Sequence, residues 1–305
     1  MIRSLGLMEI MRAAAQGPPD LAALPTRAAA GGQPPLRGYA LALERIRYKR
    51  SSVGLASIEK GKLLGIVSAR QGKGPTAWTV DHLALLEEDN GALGELLGAV
   101  SASAAKRGAE RLLLRLPDEW TLQKAVAQAG FAATTQVLLL TLPGRSPLSK
   151  EEPLLNTRLR RVGDDHALFR LYNACTPAEV RFKIGLTMQQ WRDAEEPETR
   201  RTRQLVVERG GEIAAWLRFD DHYGWKRVRT MLRPAEILDP SSLVTYVVRS
   251  GGRRGVLWEV PEYQTELHLL LERMGFEVST CYRLMVKTLA PMIKERAWAP
   301  APTTV

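Results

Sequence analysis

Apolar and polar residues follow a pattern along this chain that the sequence repeats once. Leu112–Phe131 and Val256–Phe276 each begin with a short apolar run ending in Leu-Pro or Val-Pro, which predicts a buried strand stopped by proline. Each continues with apolar residues at helical spacing and closes with Gly-Phe, whose glycine is typical of the left-handed residue after a helix. The repeat predicts a duplicated domain, whose copies we call the first and second half.

The same order of elements is predicted around both copies. In the first half these are a hairpin over residues 53–70, a strand over 77–86, a helix over 92–107 and a strand over 135–142. In the second half they are a strand over 157–162, a helix over 164–174, a hairpin over 204–220, a strand over 226–232, a helix over 240–249 and a strand over 281–289. Residues 1–16, 39–50 and 179–195 are further predicted helices.

Proline and glycine mark the domain boundaries. We expect a first domain over residues 1–142 that contains a flexible loop over 17–38, a linker over 143–156, and a second domain over 157–289. Residues 290–305, which end in APAPTTV, have the composition of a tail.

Composition narrows the class of protein. The 305 residues are 45% hydrophobic and 25% charged, as in ordinary globular chains, and no apolar run approaches the roughly 20 residues needed to cross a membrane. The two cysteines lie far apart in apolar contexts, which favours two buried thiols in a reducing cytoplasm. The four histidines have no metal-ligand spacing, so no metal site is predicted.

The net charge of +10 favours an anionic partner, either a nucleic acid or a phosphorylated cofactor such as a coenzyme A. Basic residues cluster at 45–50, 158–161, 200–203 and 253–254. Nucleic-acid binding is the weaker interpretation, because only Tyr48 supplies an aromatic ring within a cluster. Solvated faces of a globular protein would explain the same clusters without any anionic partner.

The order hairpin, strand, turn, helix, strand, helix, Gly-Phe, strand resembles the GNAT (GCN5-related N-acetyltransferase) superfamily over most of the chain. The stretches that carry the resemblance are EKGKLLGIVSAR, QKAVAQAGF, ERGGEIAAWLRF and LLLERMGF. It implies an α/β (α+β) fold with two tandem GNAT-like domains, each a twisted, mixed, mostly antiparallel sheet flanked by helices. It also implies an acyl-CoA in a cleft where two central parallel strands splay, with its pyrophosphate at the N-terminus of the next helix.

The cofactor site that the resemblance implies falls in the first half, on Leu85, Leu86, Asn90, Gly91, Ala92, Leu93 and Gly94. Glu87, Glu88 and Asp89 oppose anion binding there unless their side chains turn outward. The equivalent turn of the second half contains no glycine, and Asp239-Pro240 begins the next helix with its own anion and without an N–H. We therefore expect at most one competent site, for acetyl-CoA or another acyl-CoA.

The tyrosine that often serves the superfamily as general acid is absent, because Val126 and Leu271 stand at that position of the two halves. Candidate catalytic residues are Asp81, which interrupts an apolar strand, together with Glu87 and Tyr263. One hypothesis is an N-acetyltransferase acting on a small-molecule or peptide amine. The alternatives are a non-catalytic tandem scaffold or ligand sensor and, third, a nucleic-acid-binding protein.

Overall fold

The strands predicted from the apolar pattern are present in both halves. The computed structural model describes residues 1–6, 8–11, 20–21, 51–86, 90–118, 123–144, 156–222, 224–233 and 240–290. The first-half strands are β1 (Ile2–Ser4), β2 (Asp20–Leu21), β3 (Ser52–Glu59), β4 (Lys62–Gln71), β5 (Ala77–Leu85), β6 (Arg111–Pro117) and β7 (Ala132–Pro143). The second-half strands are β8 (Thr157–Leu159), β9 (Arg203–Arg209), β10 (Glu212–His222), β11 (Trp225–Leu232), β12 (Gly255–Pro261) and β13 (Glu277–Thr288).

The helices lie on both faces of these strands. Their bounds are α1 (Asn90–Ala105), α2 (Gln123–Gln128), α3 (Asp165–Cys175), α4 (Ala178–Ile184), α5 (Met188–Ala194), α6 (Pro240–Arg249) and α7 (Thr265–Arg273), with a 3-10 turn over Val162–Asp164. Within the described ranges, no helix is long and apolar enough to cross a membrane.

The repeated stretch folds as its pattern predicts in both halves. Strands β6 and β12 are followed by helices α2 and α7, and each helix ends at a glycine with positive φ, +88° at Gly130 and +86° at Gly275. Phe131 and Phe276, which follow these glycines, are each only 3% exposed. The Gly-Phe corner therefore turns the chain out of the helix and back into the core.

The two halves share one continuous sheet, because their last strands are exchanged. The strand order is β1-β3-β4-β5-β6-β13-β7-β12-β11-β10-β9-β8, with β2 on β5. Strand β13 of the second half pairs with β6 of the first half, and β7 of the first half pairs with β12 of the second. The exchange completes both cores, since Met285 of β13 joins the first-half core and Leu140 of β7 joins the second-half core.

Each half buries one face of its strands under the helices that follow its parallel strands. Helix α1 packs Leu93, Leu96 and Leu97 onto the first half, and all three are fully buried. Helices α6 and α7 pack Val244 and Leu271 onto the second half in the same way. The opposite face of the second half is covered by α3 and α5, through a cluster that includes Leu171 and Trp191.

Two predicted helices differ from the structure. Ile2–Ser4 form a strand rather than the start of a helix, because they pair with Leu55–Ser57 of β3; residues 8–11 are helical. The helix predicted over 179–195 is two helices, which are separated at Gly185, where the chain lies against the backbone of Trp191. The predicted helix over 39–50, most of the loop over 17–38, most of the linker and the tail beyond residue 290 lie outside the described residues.

Candidate functional site

Each half has a pair of parallel strands that stop pairing before they end, and we call these places the first and second fork. At the first fork, β5 and β6 pair up to Val80 and Leu114, although both strands continue. At the second fork, β11 and β12 pair up to Arg229 and Glu259. The forks are the places where the resemblance to GNAT proteins expects an acyl-CoA.

Asp81, a predicted catalytic residue, lies immediately beyond the first fork. The register of β4 with β5 runs from Ser68 opposite His82 to Ala69 opposite Val80, so Asp81 is the extra residue of a β-bulge. Bulges of this kind often re-aim a side chain next to a binding site. The Asp81 carboxylate forms an ion pair with Arg70, with 3.0 Å between the nitrogen and oxygen atoms.

The first two predicted cofactor residues already contact other parts of the chain. Leu85 lies opposite Gly65 of β4 on one side and opposite Asp20 of β2 on the other. The Leu86 N–H donates to the Leu64 carbonyl at 2.8 Å. A ligand at this edge of β5 would have to take the place of β2.

The remaining predicted cofactor residues form the first turn of α1, which begins at Asn90. Ala92 and Leu93 turn their side chains into the protein and are 4% and 0% exposed. A side chain built on Gly94 would meet no atom within 4 Å, so the surface beside this glycine is open. Glu87, the other predicted catalytic carboxylate, lies outside the described residues together with Glu88 and Asp89.

The second fork contains a cavity of about 380 Å³. Its wall is formed by the end of α3, the end of β11, the start of α6 and the turn before α7. The predicted catalytic residue Tyr263 lines this cavity, beside Cys175, Arg233 and Glu266. A cavity of this size lies within the range of small-molecule sites.

Two lining residues carry buried polar atoms that have no hydrogen-bond partner among the residues the structure describes. Arg233 Nη2 contacts Glu212 at 2.6 Å, while its Nε has no acceptor. Gln264 Nε2 donates to the Thr230 carbonyl at 3.3 Å, while its Oε1 has no donor. Both atoms are buried, so it is the remaining polar atoms of these two side chains that can face the cavity.

Burial holds two ionisable side chains of the cavity, Tyr263 and Cys175, in their neutral forms. Burial raises the pKa of the Tyr263 hydroxyl to about 12, against a smaller lowering by a hydrogen bond with Thr176. Burial likewise raises the pKa of the Cys175 thiol to about 11. At neutral pH, Tyr263 is a proton donor and Cys175 is a thiol rather than a reactive thiolate.

The start of α6 limits how the second fork can hold a phosphate. Pro240 is the first residue of this helix and lines the cavity, and proline has no N–H to donate. Residues 234–239, which include the predicted N-cap Asp239, lie outside the described residues. A phosphate at this fork would therefore depend on the Arg233 side chain more than on the end of the helix.

A cluster of charges that the sequence reasoning missed lies between the forks. Glu196 accepts two hydrogen bonds from Arg227, at 2.8 and 3.0 Å, and one from Arg229 at 3.2 Å. Arg115 of the first half also contacts Glu196, and Glu259 contacts Arg227 at 2.7 Å. Arg115 and Glu259 hold the same position in the repeat, two residues before its proline. A charged residue at that place in two apolar strands is the signal that could have revealed the cluster.

Comparisons with known structures support the architecture. The chain is similar to a GCN5-related N-acetyltransferase from Sphaerobacter thermophilus, with 14% identity and a TM-score of 0.56 over 95% of this chain and 96% of that one. It is also similar to a tandem GNAT protein from the clavulanic acid biosynthesis pathway, with 14% identity and a TM-score of 0.52 over 95% and 99% of the two chains.

Sequence comparison adds nothing to this result, because no protein-family model and no curated protein matches the chain. At these identities the likeness is one of fold. The likeness extends over nearly the whole of this chain and of each of the two similar proteins, one of which is itself a tandem GNAT protein. This chain therefore has the tandem GNAT fold.

Proposed function

We propose that this protein is an acyl-CoA-dependent N-acyltransferase with one cofactor site, at the second fork. The observation that carries the proposal is the cavity of about 380 Å³ at the place where the GNAT resemblance expects the acyl-CoA. Arg233 and Gln264, which line it, supply a guanidinium group and a carboxamide for the phosphates and amides of such a ligand. Acetyl-CoA is the cofactor we favour, and a small-molecule or peptide amine is the acceptor.

The residues of the cavity suit direct transfer. An acyl thioester, when bound, supplies an activated carbonyl carbon to the amine. Glu266 lines the cavity and can accept the proton that the attacking amine loses, while Tyr263 holds a proton at Oη for the departing sulfur. Cys175, as a neutral thiol, is a poor nucleophile, which argues against an acyl-cysteine intermediate.

The first half, where the sequence predicts the cofactor site, is the second candidate. The bulge at Asp81 and the start of α1, which keeps Gly91 and Gly94 and has no proline, favour it. The pairing of β2 with Leu85 opposes it. A non-catalytic ligand-sensing role would use either fork without transfer of the acyl group.

Nucleic-acid binding has less support, because part of the basic excess is engaged within the protein. Arg158 forms ion pairs with Asp164 at 2.7 Å and with Glu208 at 2.6 Å. Arg160, from the same basic cluster, contacts Asp165 and Glu195. We therefore propose no nucleic-acid partner, and the two free cysteines remain the reason for proposing a cytoplasmic location.

Thermal unfolding with and without millimolar acetyl-CoA tests the proposal. A ligand at about 100 times its Kd stabilises the folded state by about 2.7 kcal/mol, which shifts the melting temperature measurably. Ala174→Trp, which places a large side chain at the cavity wall, should remove this shift. Gly91→Pro, which removes an N–H from the first turn of α1 at the first fork, should leave it intact.

The two variants separate the candidates. Loss of the shift in Gly91→Pro but not in Ala174→Trp would move the site to the first half. No shift in the unmodified protein would favour the non-catalytic interpretation. An assay with an amine acceptor, in which acyl transfer is measured by the release of free thiol, then distinguishes a transferase from a sensor. In that assay, Tyr263→Phe should lower kcat more than it changes acetyl-CoA binding.

A further inference from the structure

The two forks have the same architecture but different contents. Strand β2, over Asp20–Leu21, lies at the first fork, antiparallel to Ala84 and Leu85. The second fork has a cavity instead. Because the halves are copies of one fold, each fork serves as a reference for the other.

The register places β2 on the side of β5 that faces β6. A strand has two edges, and β4 occupies one edge of β5 at this level, with Ile66 opposite Ala84 and Gly65 opposite Leu85. Strand β2 pairs with the same two residues and must therefore lie at the other edge. That edge is free of β6, whose pairing with β5 ends at Val80. Strand β2 thus enters the fork itself.

The connection that supplies β2 has a counterpart in the second half that runs elsewhere. Strands β1 and β8 are equivalent, since each pairs with the first strand of the hairpin in its own half. The connection after β8 forms α3, α4 and α5, and then reaches the first half, where Asp193 accepts a hydrogen bond from Thr76 at 2.7 Å. The connection after β1 sends residues 20–21 into its own fork.

We infer that the β5 edge at the first fork is a strand-binding groove whose occupant is the chain's own segment at Asp20–Leu21. An exposed strand edge presents unpaired N–H and C=O groups and accepts an added strand through main-chain hydrogen bonds. The added strand stands where an acyl-CoA would lie, so it closes the first half to the cofactor. This consequence for the cofactor rests on the proposed function.

Proline substitution tests the groove, because proline cannot donate a main-chain hydrogen bond. In Asp20→Pro/Leu21→Pro, whichever of the two residues donates to β5 loses its N–H. Ala28→Pro/Ala29→Pro, the same change later in the same connection, is the control. A second variant, with residues 17–24 replaced by glycine and serine, opens the fork without adding proline and guards against misfolding caused by the prolines.

Calorimetric titration with acetyl-CoA then counts the sites per chain. We expect one site in the unmodified protein and in the control, and two sites in both fork-opening variants. When Ala174→Trp is added, we expect no site in the otherwise unmodified protein and in the control, and one site in each fork-opening variant. Two sites in the unmodified protein, a single unchanged site in both opened variants, or a gain in the control would overturn the inference. If the unmodified protein binds none and the opened variants bind one, the groove is supported and the proposed site at the second fork fails.

Discussion

Single glycines fix the corners of the repeat, and their backbone angles predict opposite effects of alanine at different positions. Gly130 and Gly275 have φ near +88° and +86°, a region that costs a residue with a Cβ atom about 1 kcal/mol. Alanine at either position should lower the free energy of unfolding by about that amount, although neither Cβ would clash.

Gly98 provides the matched control for this prediction. It lies inside α1, and a Cβ there would meet nothing within 4 Å. Alanine at Gly98 should therefore raise the free energy of unfolding by about 1 kcal/mol through helix propensity. Urea denaturation of the three variants measures both signs, and a stabilised Gly130→Ala would contradict the backbone argument.

At the scale of residues, sequence reasoning located some of the candidate site and missed its charges. Tyr263 is a candidate because it is a tyrosine within the repeat, before the position where the superfamily has its general acid, and it lines the cavity. Arg233 and Gln264 have no sequence signal, since only the fold brings them to the wall of the cavity. Arg115 and Glu259 do have a sequence signal, because a charge inside a buried strand requires a partner.

At the scale of elements, the apolar pattern was sufficient where an element depends on its own residues. Hairpins, parallel strands and the helices of the repeat lie within a few residues of their predicted bounds. The prediction was wrong where another part of the chain decides the local structure. Ile2–Ser4 take strand conformation from β3, and Gly185, which lies against the backbone of Trp191, separates α4 from α5.

The connection from α5 to β9 carries Glu196, whose carboxylate contacts three arginines. Burial raises the pKa of Glu196, but Arg227, Arg229 and Arg115 outweigh burial and hold that pKa well below its usual range. Glu196→Gln removes the charge that these arginines share, and we expect a loss of about 3 kcal/mol at pH 7.

The loss of stability caused by Glu196→Gln should become smaller at low pH. Because the pKa of Glu196 is lower in the folded state, its contribution is complete above the unfolded pKa of about 4.3 and disappears as the pH falls through the folded value. The difference in the free energy of unfolding between the unmodified protein and Glu196→Gln should therefore be constant from pH 7 to about 5 and shrink at lower pH.

Asp221→Asn is the control, at a more exposed ion pair with Lys226, and it should cost at most about 1 kcal/mol. Equal losses in both variants, measured by urea denaturation, would show that Glu196 has no special role.

At the scale of the whole molecule, the duplication was predictable and the exchange of strands was not. The repeat specifies which elements each half contains and in which order. It does not specify whether β7 and β13 stay with their own half, because both copies present similar partners, β6 and β12. The shared sheet and the packing of its faces depend on both halves together, so they are properties of the folded chain rather than of either copy.

The exchange predicts that the two halves unfold together. Strand β13 of the second half pairs with β6 and β7 of the first half, and β7 of the first half pairs with β12 and β13 of the second half. Neither strand can therefore leave the sheet without opening both halves. Leu97 and Leu271 are fully buried leucines in the first-half and second-half cores, and alanine at either should cost about 2–5 kcal/mol. In scanning calorimetry we expect one transition for the unmodified protein and for both variants, shifted down by several degrees in each variant. The calorimetric and van't Hoff enthalpies should agree. Two transitions, with each substitution shifting only one of them, would mean that the halves are stable separately and that the exchanged strands do not couple them.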